Sequence, residues 1–290
     1  MTDPWKPLPG SGSQGDSISE VSSYSFVVMA SNVVSQARRG NRKSAGGFGR
    51  AAWANIKSLA GAILIYLVIN TFLIAAYRIP SGSMIPTLLV GDWLFVNRAV
   101  YGPHIPFTNS HLPSVSEPKR GEVIVFESPY QADEAALGND ATPTLVKRMV
   151  GMPGDTLYMR QGLLYVNGLA QRQGFGAQAR PTMSSSQPGE TSELFTWQHR
   201  IELRQSRFGA APAQPTHDNW GPLLIPGGFY FMMGDNRYES KDGRYWGIVP
   251  RENVRGRPMF VYYSYHADDS DRPLPFITDI RWGRIGTRIK

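Results

Sequence analysis

Cysteine is absent from the 290 residues. Its absence removes a thiol nucleophile, thiolate metal sites and structural disulfides, and leaves the redox compartment open. Histidine is scarce. His104, His111, His199, His217 and His266 are scattered and form no His-Glu-x-x-His pairing, which argues against a zinc hydrolase and against a histidine-based triad. Acidic residues are missing from Arg38 to Lys57, a stretch that carries Arg38, Arg39, Arg42, Lys43, Arg50 and Lys57. Charge of either sign is missing from the nineteen residues Leu59 to Tyr77.

The two last absences belong together. As a helix, the charge-free run is about 28 Å long at about 1.5 Å per residue, close to a hydrocarbon core of about 30 Å. The long preceding tail argues against a cleaved signal sequence, whose basic region is short. The run is therefore expected to be a transmembrane anchor over 58–77, with the basic cluster cytoplasmic and everything after Tyr77 outside, in the periplasm of a Gram-negative cell. The formal net charge of +7 is then accounted for by membrane lipid, and no nucleic acid partner is expected.

Before the anchor, residues 1–57 read as a polar, Ser/Gly/Pro-rich and then basic tail, disordered to about Val21 and partly helical from Tyr24 to Val34. After it, short apolar runs alternate with turns: Trp93 to Val96, Val123 to Phe126, Leu145 to Val150, and the pair Thr156 to Met159 and Leu163 to Val166 around Gln161-Gly162, a hairpin signal. Phe229 to Met233 and Met259 to Tyr263 continue the pattern. Residues 168–224 are rich in Gln, Ser, Gly and Pro, and read as an inserted small subdomain with weak strands near Glu193 to Leu203. The expected fold is mostly β, with a catalytic domain in two parts, 78–167 and 225–290.

Immediately after the anchor stands Ile79-Pro80-Ser81-Gly82-Ser83-Met84-Ile85-Pro86-Thr87. The prolines stiffen the chain and Gly82 permits a turn or a close approach. A serine on such a loop is a nucleophile only beside a base. With no suitable histidine, the base is expected to be a lysine, which works only when neutral; its pKa must fall from about 10.4 to about 7–8, as burial produces. Lys147 lies among Leu145, Val146, Met149 and Val150. Ser116-Glu117-Pro118-Lys119 matches a Ser-x-x-Lys pattern that requires a helix, which Pro118 disfavours.

The nucleophile stretch, Lys147-Arg148-Met149-Val150-Gly151-Met152-Pro153-Gly154-Asp155, Gly234-Asp235-Asn236-Arg237 and Ser240 to Pro250 together resemble, in order, the motif boxes of bacterial type I signal peptidases, membrane-anchored serine proteases with a Ser/Lys dyad. The resemblance runs from about Tyr77 to Lys290, apart from the middle segment. It implies Ser83 as nucleophile and Lys147 as general base. It further implies that the Ser81 hydroxyl and the Ser83 N–H bind the oxyanion, that Met232 packs near the lysine, and that Ser240 hydrogen-bonds its amine. Arg148, Asp235, Asp242 and Arg244 become a supporting charge network. Where Asp-Asn-Ser is frequent in the family, this chain reads Tyr238-Glu239-Ser240, a departure that bears on loop shape.

Implied substrates are preproteins with small residues at −1 and −3, bound extended in pockets of Tyr77, Ile79, Pro80, Met84, Leu88, Val125, Leu145 and Val146. The implied setting is the inner membrane beside the secretion pathway, with no metal and no cofactor. Two alternatives remain at this level: a specialised pilin or conjugation precursor peptidase on the same scaffold, and an inactive membrane-anchored peptide-binding module.

Overall fold

The computed structural model describes residues 19–20, 45–105, 108, 110, 112–172 and 192–290. The readings for Met1 to Ile18, for Tyr24 to Val34 and for the polar part of the middle segment lie outside these residues.

The long helix spans Ala45–Phe72. Within it, Asn55–Phe72 is long and apolar enough to cross a membrane, and none of that window is buried against the rest of the protein. The helix stops five residues short of the expected boundary at Tyr77. Leu73 closes the last turn onto Ile69, and Ile74–Arg78 is a strand instead. Ala75 and Tyr77 are buried while their neighbours are not, a period of two that only a strand satisfies.

The strands in chain order are β1 (Ser19–Glu20), β2 (Ile74–Arg78), β3 (Asp92–Asn97), β4 (Val123–Glu127), β5 (Thr144–Gly151), β6 (Thr156–Arg160), β7 (Leu163–Val166), β8 (Leu169–Ala170), β9 (Gln205–Ser206), β10 (Gly209–Ala210), β11 (Trp220–Leu224), β12 (Phe229–Met233), β13 (Val249–Pro250) and β14 (Val254–Ser264). The large sheet has eight strands in the order β1-β2-β3-β14-β4-β5-β12-β13, and a four-stranded sheet runs β11-β6-β7-β8. Every pairing is antiparallel. The expectation of a mostly β protein holds.

Three apolar clusters fill the interior. The first joins Ala75, Tyr77, Ile79, Met84, Leu88, Leu94, Val96, Val123, Val125, Val146 and Val261. The second, around Val150, Leu157, Met159, Trp220, Leu223, Phe231 and Met233, welds the two sheets together. The third includes Tyr101, Ile124, Phe126, Leu145, Met149 and Met232. The β6–β7 hairpin turns at Gln161 and Gly162, with φ of 50° and 74°, the left-handed pair that a tight hairpin requires.

Three sequence expectations change here. Ser19–Glu20, read as part of a disordered tail, pairs with Tyr77 and Arg78 of β2. Ser192–Arg200, read as weak strand, is a 3-10 helix. Residues 168–224 do not form a separate unit at their C-terminal end: Trp220 and Leu223 are fully buried, and Leu223 pairs with Leu157. The apolar part of β11 is short enough to disappear among its polar flanks, yet it completes the second cluster.

Candidate active site

β5 brings the chemistry together. Along a strand, neighbouring side chains point to opposite faces, so the Lys147-Arg148 dipeptide serves two sites at once. Lys147 is fully buried. Its Nζ donates to Ser83 Oγ at 2.6 Å, and Ser83 is itself only 3% exposed. Ser81 Oγ lies 3.4 Å from Ser83 Oγ. The two serines and the lysine expected to act together are therefore in one place. Met232 pairs with Met149 across β12 and β5, in the third cluster beside the lysine's strand.

Arg148 goes the other way. Its Nε and Nη2 donate to the two carboxylate oxygens of Asp235, each at 2.7 Å. Nη1 donates to the carbonyls of Gly121 at 2.6 Å and Lys290 at 2.8 Å. Thr87 Oγ1 donates to Asp235 Oδ2 at 2.5 Å. The nucleophile loop is thus tied to β5 through Thr87. From the opposite side, Arg284 donates to the Thr87 carbonyl at 3.0 Å and forms an ion pair with Asp92. Thr87 stood in the motif stretch without a role, and Asp92 and Arg284 were not singled out by sequence, because their partners lie far along the chain.

The loop after β12 completes the frame. Asn236 N donates to the Ser83 carbonyl at 3.0 Å, and Asn236 Nδ2 donates to the Gly82 carbonyl at 3.2 Å. Gly234 sits between Ser240 and Ser83: a Cβ there would meet Ser240 Cβ at 2.5 Å and the Ser83 carbonyl at 2.6 Å. Gly234 N donates to Asp242 Oδ2 at 2.9 Å. Asp242 and Arg244, both fully buried, share two hydrogen bonds of 2.8 Å. Burial opposes the charge on Asp242, but the Arg244 guanidinium, the Gly234 N–H and nearby Lys147 outweigh it and hold the carboxyl down at about 2. Burial, helped by Arg244, brings the Arg237 guanidinium down to about 10.

Ser240 departs from expectation. Its Oγ is buried without a hydrogen-bond partner, so the implied bond to the Lys147 amine is not formed. A histidine also enters the frame unannounced: His217 Nδ1 lies 2.8 Å from Asp218 Oδ1, and its Nε2 lies 2.7 Å from the Arg237 carbonyl and against Arg244. It braces the support network and does not touch Ser83.

Of the expected pocket residues, Tyr77, Ile79, Met84, Leu88, Val125 and Val146 share the first cluster. Pro80 is half-buried beside them. Leu145 faces away from Val146, into the third cluster, as alternation along β5 demands. Ser116 to Lys119 is not helical. No group of three or more acids and histidines suited to a metal ion exists among the described residues.

A family profile described as Signal peptidase, peptidase S26, matches residues 52–263. The chain belongs to the signal peptidase family. It is 35% identical over 220 residues to a Signal peptidase I of Pseudomonas fluorescens, a match covering 72% of each chain. A Signal peptidase I of Pseudomonas aeruginosa gives the same identity and coverage. One from Aquifex aeolicus is 32% identical over 228 residues, covering 70% of this chain and 80% of the relative. The matched span contains Ser81, Ser83, Lys147 and the loop from Gly234 to Arg244.

Proposed function

We propose that this signal peptidase removes N-terminal signal peptides from exported preproteins through a Ser83/Lys147 dyad. The observation that carries the assignment is the 2.6 Å contact between Lys147 Nζ and Ser83 Oγ in a buried setting. In the reacting state Lys147 is neutral and takes the Ser83 proton as Oγ attacks the scissile carbonyl. The developing oxyanion is held by the Ser81 hydroxyl and the Ser83 N–H, donors fixed before the reaction by a loop tied at Thr87, Gly82 and Ser83. The lysine, now an ammonium, gives its proton to the leaving amine. Water then attacks the acyl-enzyme, with Lys147 again taking the proton, and Ser83 is restored.

The substrate is read as an extended peptide with small side chains at −1 and −3, packed over Tyr77, Ile79, Met84 and Val146. All four are buried in the first cluster, where a larger side chain must displace packed atoms. The helix Ala45–Phe72 serves as the anchor, with the basic stretch cytoplasmic and the β domain periplasmic. The pairing of Ser19 and Glu20 with Arg78 and Tyr77 does not fit that topology, which places the tail across the membrane from β2.

The deciding experiment labels Ser83 with a serine-directed acylating reagent and follows release of a mature protein from a precursor. Labelling at Ser83, loss of both signals in Ser83→Ala, and cleavage at the signal-peptide boundary are expected. Cleavage retained by Ser83→Ala overturns the assignment.

A further inference from the structure

Most of the pocket residues assigned to the acyl side of a substrate belong to the first apolar cluster. Beside the loop after β12 lies an open cleft of about 660 Å³. Its walls come from different elements: Tyr130 after β4, Leu194 and Trp197 of the 3-10 helix, and Tyr245 and Trp246 of the short helix Gly243–Trp246. Lys241 binds Asp133 at 2.6 Å and Glu134 at 2.7 Å, which ties two of the walls together and keeps the cleft formed without a ligand. At the rim, Tyr130 is 67% and Leu194 42% exposed, apolar surface left open to solvent.

Glu239, exposed, and Ser240, buried, line the cleft, and both lie close to the nucleophile turn. Asn236 Nδ2 bridges Glu239 Oε2 at 2.8 Å and the Gly82 carbonyl at 3.2 Å. Only Gly234 separates Ser240 from the Ser83 carbonyl. None of the eight residues expected to bind the acyl side lines the cleft.

We propose that this cleft is the second half of the substrate site and binds the preprotein segment that follows the scissile bond, as an extended peptide carrying apolar or aromatic side chains. The proposal rests on the Ser83/Lys147 assignment. A peptide strand advances about 3.3 Å per residue, so a chain whose residues before the cut fill the first cluster's pockets must continue past Ser83. The cleft begins at Glu239, which Asn236 ties to the nucleophile turn, and Leu194, Trp197, Tyr245 and Trp246 supply its apolar wall.

The test uses the full chain in detergent or vesicles and three substrates identical up to the cut. One continues for six residues rich in Leu and Phe, one continues with Gly and Ser, and one ends in an amide after a single residue. The apolar substrate is expected to have a KM about tenfold below that of the Gly/Ser substrate. The double variant Tyr130→Ala/Leu194→Ala, which alters only rim side chains, should remove that difference and leave kcat, the short amide and acylation of Ser83 by a small reagent unchanged. Tyr130→Phe should keep the native preference. Equal effects of the double variant on long and short substrates overturn the proposal, as does a response to changes before the cut instead of after it. Failure of the native protein to be acylated at Ser83 overturns the dyad assignment itself, and is read separately from the substrate preference.

Discussion

Arg148 grips Asp235 with two parallel hydrogen bonds of 2.7 Å, and Thr87 Oγ1 shares the same carboxylate at 2.5 Å. The pair lies largely out of solvent, directly behind the nucleophile loop. Removing the guanidinium strands a buried carboxylate, and breaking such a pair costs about 3–5 kcal/mol. Arg148→Ala should lower the urea midpoint accordingly and release Thr87, cutting activity as well. Arg148→Lys keeps the charge but not the planar fork, and should recover only part of both losses. Equal stability of Arg148→Ala and the native protein would contradict this reading.

Gly234 is the second test of geometry. A Cβ at that position meets the Ser83 carbonyl at 2.6 Å, a backbone atom that cannot swing aside. Gly234→Ala should therefore push the nucleophile loop away from Lys147. A misplacement on the order of 1 Å costs about 10²-fold in rate, so a folded but nearly inactive protein is expected by circular dichroism and precursor cleavage. Full activity would show that the loop relaxes freely.

Acid stability follows from Asp242. Its folded carboxyl sits at about 2, below the ordinary value of 3.8. A lowered folded value means stabilisation that is fully present above the ordinary value and is lost as pH falls through the folded one. Unfolding free energy should fall between about pH 4 and pH 2, and Asp242→Asn should flatten that part of the curve. The variant should also be less stable at neutral pH, because Arg244 is left buried without its partner. An unchanged acid limb in Asp242→Asn would rule out this carboxylate as its source.

The middle segment contributes to the core through β11. Trp220 is fully buried in the cluster joining the two sheets, and truncating a buried aromatic costs about 3–5 kcal/mol. Trp220→Ala should lower the melting temperature by several degrees. Deleting residues 173–188, polar and Gly/Pro-rich, should leave precursor cleavage intact. Unfolding of the deletion variant, or a neutral Trp220→Ala, would contradict these two expectations.

Much of the site could be read in the sequence because its motifs are local. A Lys-Arg dipeptide inside an apolar strand run must present its two charges to opposite faces, and β5 does so, towards Ser83 and towards Asp235. The hairpin at Gln161-Gly162 and the strands around Val125 and Phe231 were legible for the same reason. What stayed hidden depends on distant partners. Four of the five residues of β2, Ile74 to Tyr77, looked like anchor until β3 supplied their hydrogen bonds. β11 was lost among polar flanks, although Trp220 completes a core. His217 and Arg284 gain their roles only when chain segments far apart meet. The Ser240 hydroxyl, expected on the lysine, instead stands unpartnered beside Gly234.

The dyad itself is tested most directly by Lys147→Arg. Arginine keeps the charge and much of the length but stays protonated at any working pH, so it cannot accept the Ser83 proton. The measurement is the rate at which a mature protein is released from its precursor, with circular dichroism to confirm the fold. The account predicts a folded protein whose rate falls by about 10²–10⁴-fold, the usual contribution of a general base. Release at a near-native rate would contradict it and require another base for Ser83.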